Sequence, residues 1–215
     1  MVFNSKKFID LRTQSHLEHV ASRAEERGMA INTEKTGLML VSAATSFQAK
    51  VTLELSGKMV HGSNSLKILG VTIASDLSFQ EHIENISSKM RSKTWALSKL
   101  RKKGLTEEKL LRAYKCLIRP SVEYAAVAWH SMITAGQAAL LERQQTQALR
   151  NIFGPSISAA KMRKRAEIET LYKRREQLVK NFAKKSLTNP RSAHWFEQRK
   201  RPAYSRRTSV SYPLF

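Results

Sequence analysis

The sequence predicts an α+β protein in which a small antiparallel meander with one packed helix precedes a mostly α-helical bundle. Two patterns predict it. Before residue 76, apolar residues alternate with polar ones at Val51, Leu53 and Leu55 and recur closely at Leu66, Ile68, Val71 and Ile73, as in a half-buried strand. After it they return every three or four positions, as on one face of a helix, in segments punctuated by Gly104, Pro120, Gly154 and Pro190. The expected units are residues 1–75, residues 76–188, and a basic tail over 189–215 that has no apolar period and is expected to be poorly ordered.

The first helix is predicted over residues 10–27, with Leu17, Val20, Ala21 and Ala24 on one face and Gly28 ending it. His16 and His19 lie one turn apart there, but no third ligand is in register, so no metal site is expected. A polar turn over 29–36 leads to a predicted strand over 38–41. The strand of Val51, Leu53 and Leu55 turns at Ser56 and Gly57 into Met59 and Val60, and a further strand is predicted over 66–73. Gly70 in its interior marks either a bulge or a place where something approaches the backbone closely.

Ser78 and Glu81 have the spacing of a capping box, and Ile83, Ile86, Met90, Leu97 and Leu100 then form an apolar seam up to Gly104. Off that seam lie Lys89, Arg91, Lys93, Lys99, Arg101, Lys102 and Lys103, either a solvated face or a surface for a polyanion. Further helices follow. Leu110, Leu111, Tyr114, Leu117 and Ile118 are read as one buried stripe before Pro120, with Cys116 on its apolar side as an inert thiol. Thr134 and Gln137 form a second capping box ahead of Leu140, Leu141, Ala148, Leu149 and Ile152. Lys161 to Arg165 is a basic cluster, and the last helix, over about 169–187, is expected to bury Leu171, Leu178 and Phe182.

Composition bounds the partners. A formal charge of +21 on 215 residues makes a polyanion the default ligand, with nucleic acid ahead of a membrane surface. The charge is uneven: residues 1–75 hold nine Lys/Arg against six Asp/Glu, whereas residues 76–215 hold 29 against 11. No apolar run has the length of a bilayer span, and the first residues lack the layout of a secretory signal, so an intracellular protein of nucleus or cytoplasm is expected. A single cysteine excludes an internal disulfide.

Several motifs, in order, carry a resemblance. They are Asn32, Lys35 and Thr36 of a turn; Leu69, Gly70 and Val71; Phe79 with His82 and Ile83; Ile118, Arg119 and Pro120; and Glu123, Tyr124 and Ala125 before Trp129. Leu141, Glu142, Gln145, Arg150 and Gly154, then Leu171, Arg174, Arg175 and Phe182, continue the series. From about residue 10 to 196 the chain resembles the carboxy-terminal part of the reverse transcriptase of non-LTR (LINE-type, jockey-like) retrotransposons. That resemblance implies a residual palm edge followed by a thumb-like bundle. It implies a primer grip at Leu69 and Gly70, where a missing side chain lets backbone approach the primer. It implies that Lys35 is a remnant of a lysine on the pyrophosphate side of the active site, although a solvated turn lysine is an equal reading. Finally it implies that Lys89, Lys93, Lys99, Arg101, Lys102 and Lys103 lie along a template–primer or RNA duplex.

Departures from the pattern bear on activity. Template-directed polymerisation uses metal ions held by clustered aspartates, and the intact parent enzyme would need Mg²⁺. Here the only aspartates are Asp10 and Asp76, and no Tyr-x-Asp-Asp occurs. Ala74 replaces a usual aspartate and Ala21 a usual tryptophan. The expectation is a truncated reverse-transcriptase fragment that holds nucleic acid, uses no cofactor and is not an enzyme on its own. The alternative is a stand-alone basic RNA- or DNA-binding protein without enzymatic activity.

Overall fold

A computed structural model describes residues 5–41 and 51–193, with side chains from residue 12 onward. The architecture is α+β, as expected. Helix α1 (Ser5–Glu26) leads to a short turn (Thr33–Lys35) and two β-hairpins, β1 (Thr52–Leu55) with β2 (Lys58–His61) and β3 (Ser65–Ile68) with β4 (Val71–Ala74). Helices then follow: α2 (Gln80–Lys102), α3 (Glu107–Ala113), α4 (Arg119–Glu123), α5 (Ala126–Trp129), α6 (Ala135–Phe153), α7 (Ala159–Ala166) and α8 (Leu171–Thr188).

The expected meander is two separate two-stranded sheets. Residues 66–73 are not one strand but a hairpin that reverses at Leu69 and Gly70. Both residues have positive φ, 48° and 87°, the signature of a type I′ turn whose twist matches that of the flanking strands. The pairing Ile68 to Val71 and Leu66 to Ile73 places the apolar residues opposite one another, so the close apolar spacing is kept although the chain reverses. The strand expected over 38–41 is reduced to a single parallel bridge from Leu38 to Gly62. Most of the expected tail lies outside the described residues.

Helix α1 attaches to the first hairpin through Gln14. Its side-chain amide donates to Glu54 O and accepts from Glu54 N–H, both at 2.9 Å, much as a neighbouring strand would. The second hairpin belongs with the helices. Val71 of β4 joins a core built from Ile83, Ile86, Met90 and Leu97 of α2, Leu141, Ala148, Leu149 and Ile152 of α6, and Trp129. Helices α2 and α6 run side by side in the same direction: Gln137 donates to Gln80 at their N-terminal turns, and Arg101 reaches Asn151 O and Ile152 O at their C-terminal turns.

Between α3 and α4, residues Tyr114–Ile118 form a wide π turn in which Arg119 N–H donates to Tyr114 O. This turn corrects the expected stripe. Leu110, Tyr114, Ile118 and Val122 are all buried at steps of four, a series that drifts by about 40° per step around a regular α-helix and that one wider turn brings back into line. Leu117 and Cys116 rotate to the surface instead. Leu100 and Phe182, also expected inside, are 36% and 45% exposed, and Leu178 is only half-buried.

Candidate nucleic-acid interface

Among the described residues, the outer face of α2 carries a run of exposed cations. Its inner face carries Ile83, Ile86, Met90, Thr94 and Leu97 into the core, which turns Lys89, Arg91, Lys99, Lys102 and Lys103 outward. The expected capping box at its start is not formed: Phe79 occupies the cap, and Ser78 N–H instead donates to Asp76 Oδ1 at 2.8 Å. Those hydrogen bonds hold the Asp76 carboxyl below its ordinary value. At the other end Gly104 takes the left-handed conformation, φ 86°, that closes the helix.

Two of the six nominated cations hydrogen-bond to other described elements. Lys93 Nζ donates to Leu117 O at 2.7 Å and to Ser121 Oγ at 2.6 Å, tying α2 to the π turn. Arg101 Nη1 donates to Asn151 O and Ile152 O at 2.8 and 2.7 Å, satisfying carbonyls that the end of α6 leaves open. The stripe of Lys89, Lys99, Lys102 and Lys103 runs between these two flanks. Within it Trp95 is 64% exposed, with Lys99 Nζ 5.0 Å from its ring centroid.

The hairpin tip lies on the same helical body. Tyr124 OH donates to Leu69 O at 2.7 Å, and a Cβ on Gly70 would stand 3.3 Å from the Tyr124 ring. What approaches the Gly70 backbone in this structure is therefore a tyrosine of the chain itself. Leu69 is left 86% exposed at the tip. Asn32, Lys35 and Thr36 form a closed turn: Asn32 Oδ1 accepts from Glu34 N–H and Lys35 N–H, and Thr36 Oγ1 donates to Asn32 O. Lys35 faces solvent.

Other motif residues prove to be one another's partners. The Glu123 carboxylate pairs with Arg119 at 2.8 Å and with Arg174 at 3.1 Å, and Trp129 Nε1 donates to Tyr124 O. Gln145 donates to Glu169 O, and Glu142 accepts from Tyr172 N–H. Arg175 is fully buried against the Trp129 ring, its Nε donating to His130 Nδ1 at 3.4 Å. Burial pushes its guanidinium down to about 10, which still leaves it charged at neutral pH. These links join α4, α5, α6 and α8; they build the scaffold rather than the outer surface.

Among the described residues no three His, Cys, Asp or Glu side chains gather as metal ligands, and no helix is long and apolar enough to cross a membrane. Of the two aspartates, Asp76 Oδ1 accepts from Ser78 N–H and Asp10 lies in α1.

Compared with known proteins, the chain is similar over part of its length to a retrotransposon-encoded protein. A putative 115 kDa protein in the type-1 retrotransposable element R1DM of Drosophila melanogaster is 25% identical over 142 residues, which is 65% of this chain and 14% of that protein. The chain thus spans a small part of the length of its relative. No family model matches, and no solved structure matches.

Proposed function

We propose that this chain is the template–primer-holding portion of a non-LTR retrotransposon reverse transcriptase, a fragment that grips a duplex by its phosphates and joins no nucleotides by itself. The observation that carries the reading is the outward stripe of α2. From Lys89 to Lys103 a helix rises about 21 Å, the length of about six base pairs, so the cations can follow one phosphate backbone. The retrotransposon-related sequence supports the same reading. So does the position of the hairpin, whose exposed tip at Leu69 is tied to the helical body through Tyr124 and would meet the primer as a grip. The aspartates needed for chemistry would have to come from elsewhere.

Duplex binding measured across a salt series tests this. Six to ten phosphate contacts lose about 10³ to 10⁵ in affinity between 50 and 200 mM salt, with little dependence on sequence. Replacing Lys89, Lys99, Lys102 and Lys103 by alanine should weaken binding to all duplexes and reduce the salt slope by about three to four. Sequence preference that survives high salt would favour a stand-alone DNA- or RNA-binding protein. Failure to hold a duplex at low salt, or primer extension by the purified chain with Mg²⁺, would overturn the proposal.

A further inference from the structure

Trp95 is placed where a folding role does not explain it. It is 64% exposed on α2, whereas Trp129 is fully buried in the core. Its apolar ring stays in water, although tryptophan offers more apolar area for burial than almost any other side chain. Its neighbours on the helix surface are cations: Arg91 one turn before, Lys99 one turn after, and Lys102 seven residues on. Lys99 Nζ lies 5.0 Å from the ring centroid, so one cation already sits against the π system. No acidic side chain lies on α2 beyond Glu84, so the surroundings of the ring repel basic partners and attract anionic ones.

A flat ring standing among phosphate-seeking charges is the arrangement on which an unpaired base stacks while its backbone is neutralised on either side. We infer that Trp95 is a stacking platform for unpaired nucleotides, so that the α2 face accepts a single-stranded extension in addition to the duplex. This rests on the nucleic-acid reading above and refines it. The phosphates of the extended strand would lie against Lys99 and Lys102 on one side and Arg91 on the other, and the base would cover the exposed face of the indole. A duplex with blunt ends offers the ring only its sugar–phosphate exterior and leaves it unused.

The experiment compares a blunt DNA duplex with the same duplex carrying an oligothymidylate overhang, using the full chain and fluorescence anisotropy. The wild-type chain should bind the overhang form about tenfold more tightly, the worth of stacking one base. Trp95→Ala should erase that difference and leave the salt slope on blunt duplex unchanged, because the ring carries no charge. Trp95→Phe should keep part of the preference, because a smaller aromatic face remains. In a Trp195→Phe background, tryptophan fluorescence should be quenched by oligothymidylate, and adding Trp95→Phe should remove that quenching. An overhang preference missing from the wild type, or undiminished in Trp95→Ala, would overturn the inference; so would a Trp95→Ala loss that falls equally on both duplexes. A collapse of the duplex-holding reading looks different, since blunt duplex would then go unbound at low salt.

Discussion

Thr72 donates its backbone N–H to His82 Nδ1 at 3.3 Å inside the junction between β4 and α2, and the imidazole stands edge-on to Trp129 with ring centroids 5.6 Å apart. The accepting nitrogen must be unprotonated, so the hydrogen bond and the charged imidazolium exclude one another. Burial, and then the charge of Lys89, lower the affinity of His82 for a proton below its usual value of 6.5. His130 shifts in the same direction, by burial first and Arg175 second. Because the unfolded chain takes up these protons first, stability is fully present above pH 6.5 and is lost as pH falls through the lower folded values. Urea midpoints should therefore drop between about pH 7.5 and pH 5. His82→Gln, whose amide oxygen can accept from Thr72, should shallow that drop, leaving the part due to His130.

At the scale of elements, α2 separates cations that hold the fold from cations that face outward, although all are basic residues on one helix. Arg101 closes the end of α6, while Lys102 has no such task. Arg101→Ala should cost about 1 to 2 kcal/mol of stability, because two carbonyls, the Ile152 one partly buried, lose a charged donor, whereas Lys102→Ala should leave stability within about 0.5 kcal/mol. Both substitutions remove one charge, and only a thermal melt run beside the binding assay distinguishes them. Equal melting of the two variants would show that the Arg101 contact adds nothing. The two expected capping boxes also part company. Thr134 accepts from Gln137 N–H while the Gln137 side chain accepts from Thr134 N–H, but Ser78 is drawn away by Asp76 two residues earlier. An Asx turn competes with a helix cap for the same backbone, and here the turn wins.

Across the whole molecule, packing is uneven. Helix α2 contributes seven buried residues to the core, yet none of the described side chains of α1 is buried. Between α1 and the first hairpin lies a cavity of about 290 Å³ bordered by Leu17, Val20, Leu38 and Leu53. Few apolar contacts mean a small free energy of local opening. Amide hydrogens of α1, β1 and β2 should therefore exchange well before those of α2 and α6, and Leu53→Ala should speed the first group without moving the second. Mass spectrometry of deuterium uptake checks this; simultaneous exchange of both groups would mean that they open as one cooperative unit.

How much was legible follows from how far each signal reaches along the chain. The helical periods, the Gly28, Gly104 and Gly154 stops and the second capping box depend on residues within a few positions of each other, and the structure keeps them. The hairpin at Leu69 and Gly70 was within reach too: the three-residue step from Ile68 to Val71 breaks the alternation of a single strand, as a two-residue turn requires. Leucine at a positive φ hid it, since asparagine or glycine is the usual signal there. The π turn left no comparable mark, and with it went the placement of Leu117 and Cys116.

By itself, the sequence determined the α+β class, the excess of positive charge beyond residue 75, and the lack of an aspartate pair, because each of these is composition or local spacing. Only the tertiary structure decided that Lys93 and Arg101 turn inward to carbonyls, that Tyr124 fills the space beside Gly70, and that Trp95 remains in water. Those outcomes depend on which elements lie side by side, and residues 24 to 54 positions apart in the chain meet only after the helices have packed.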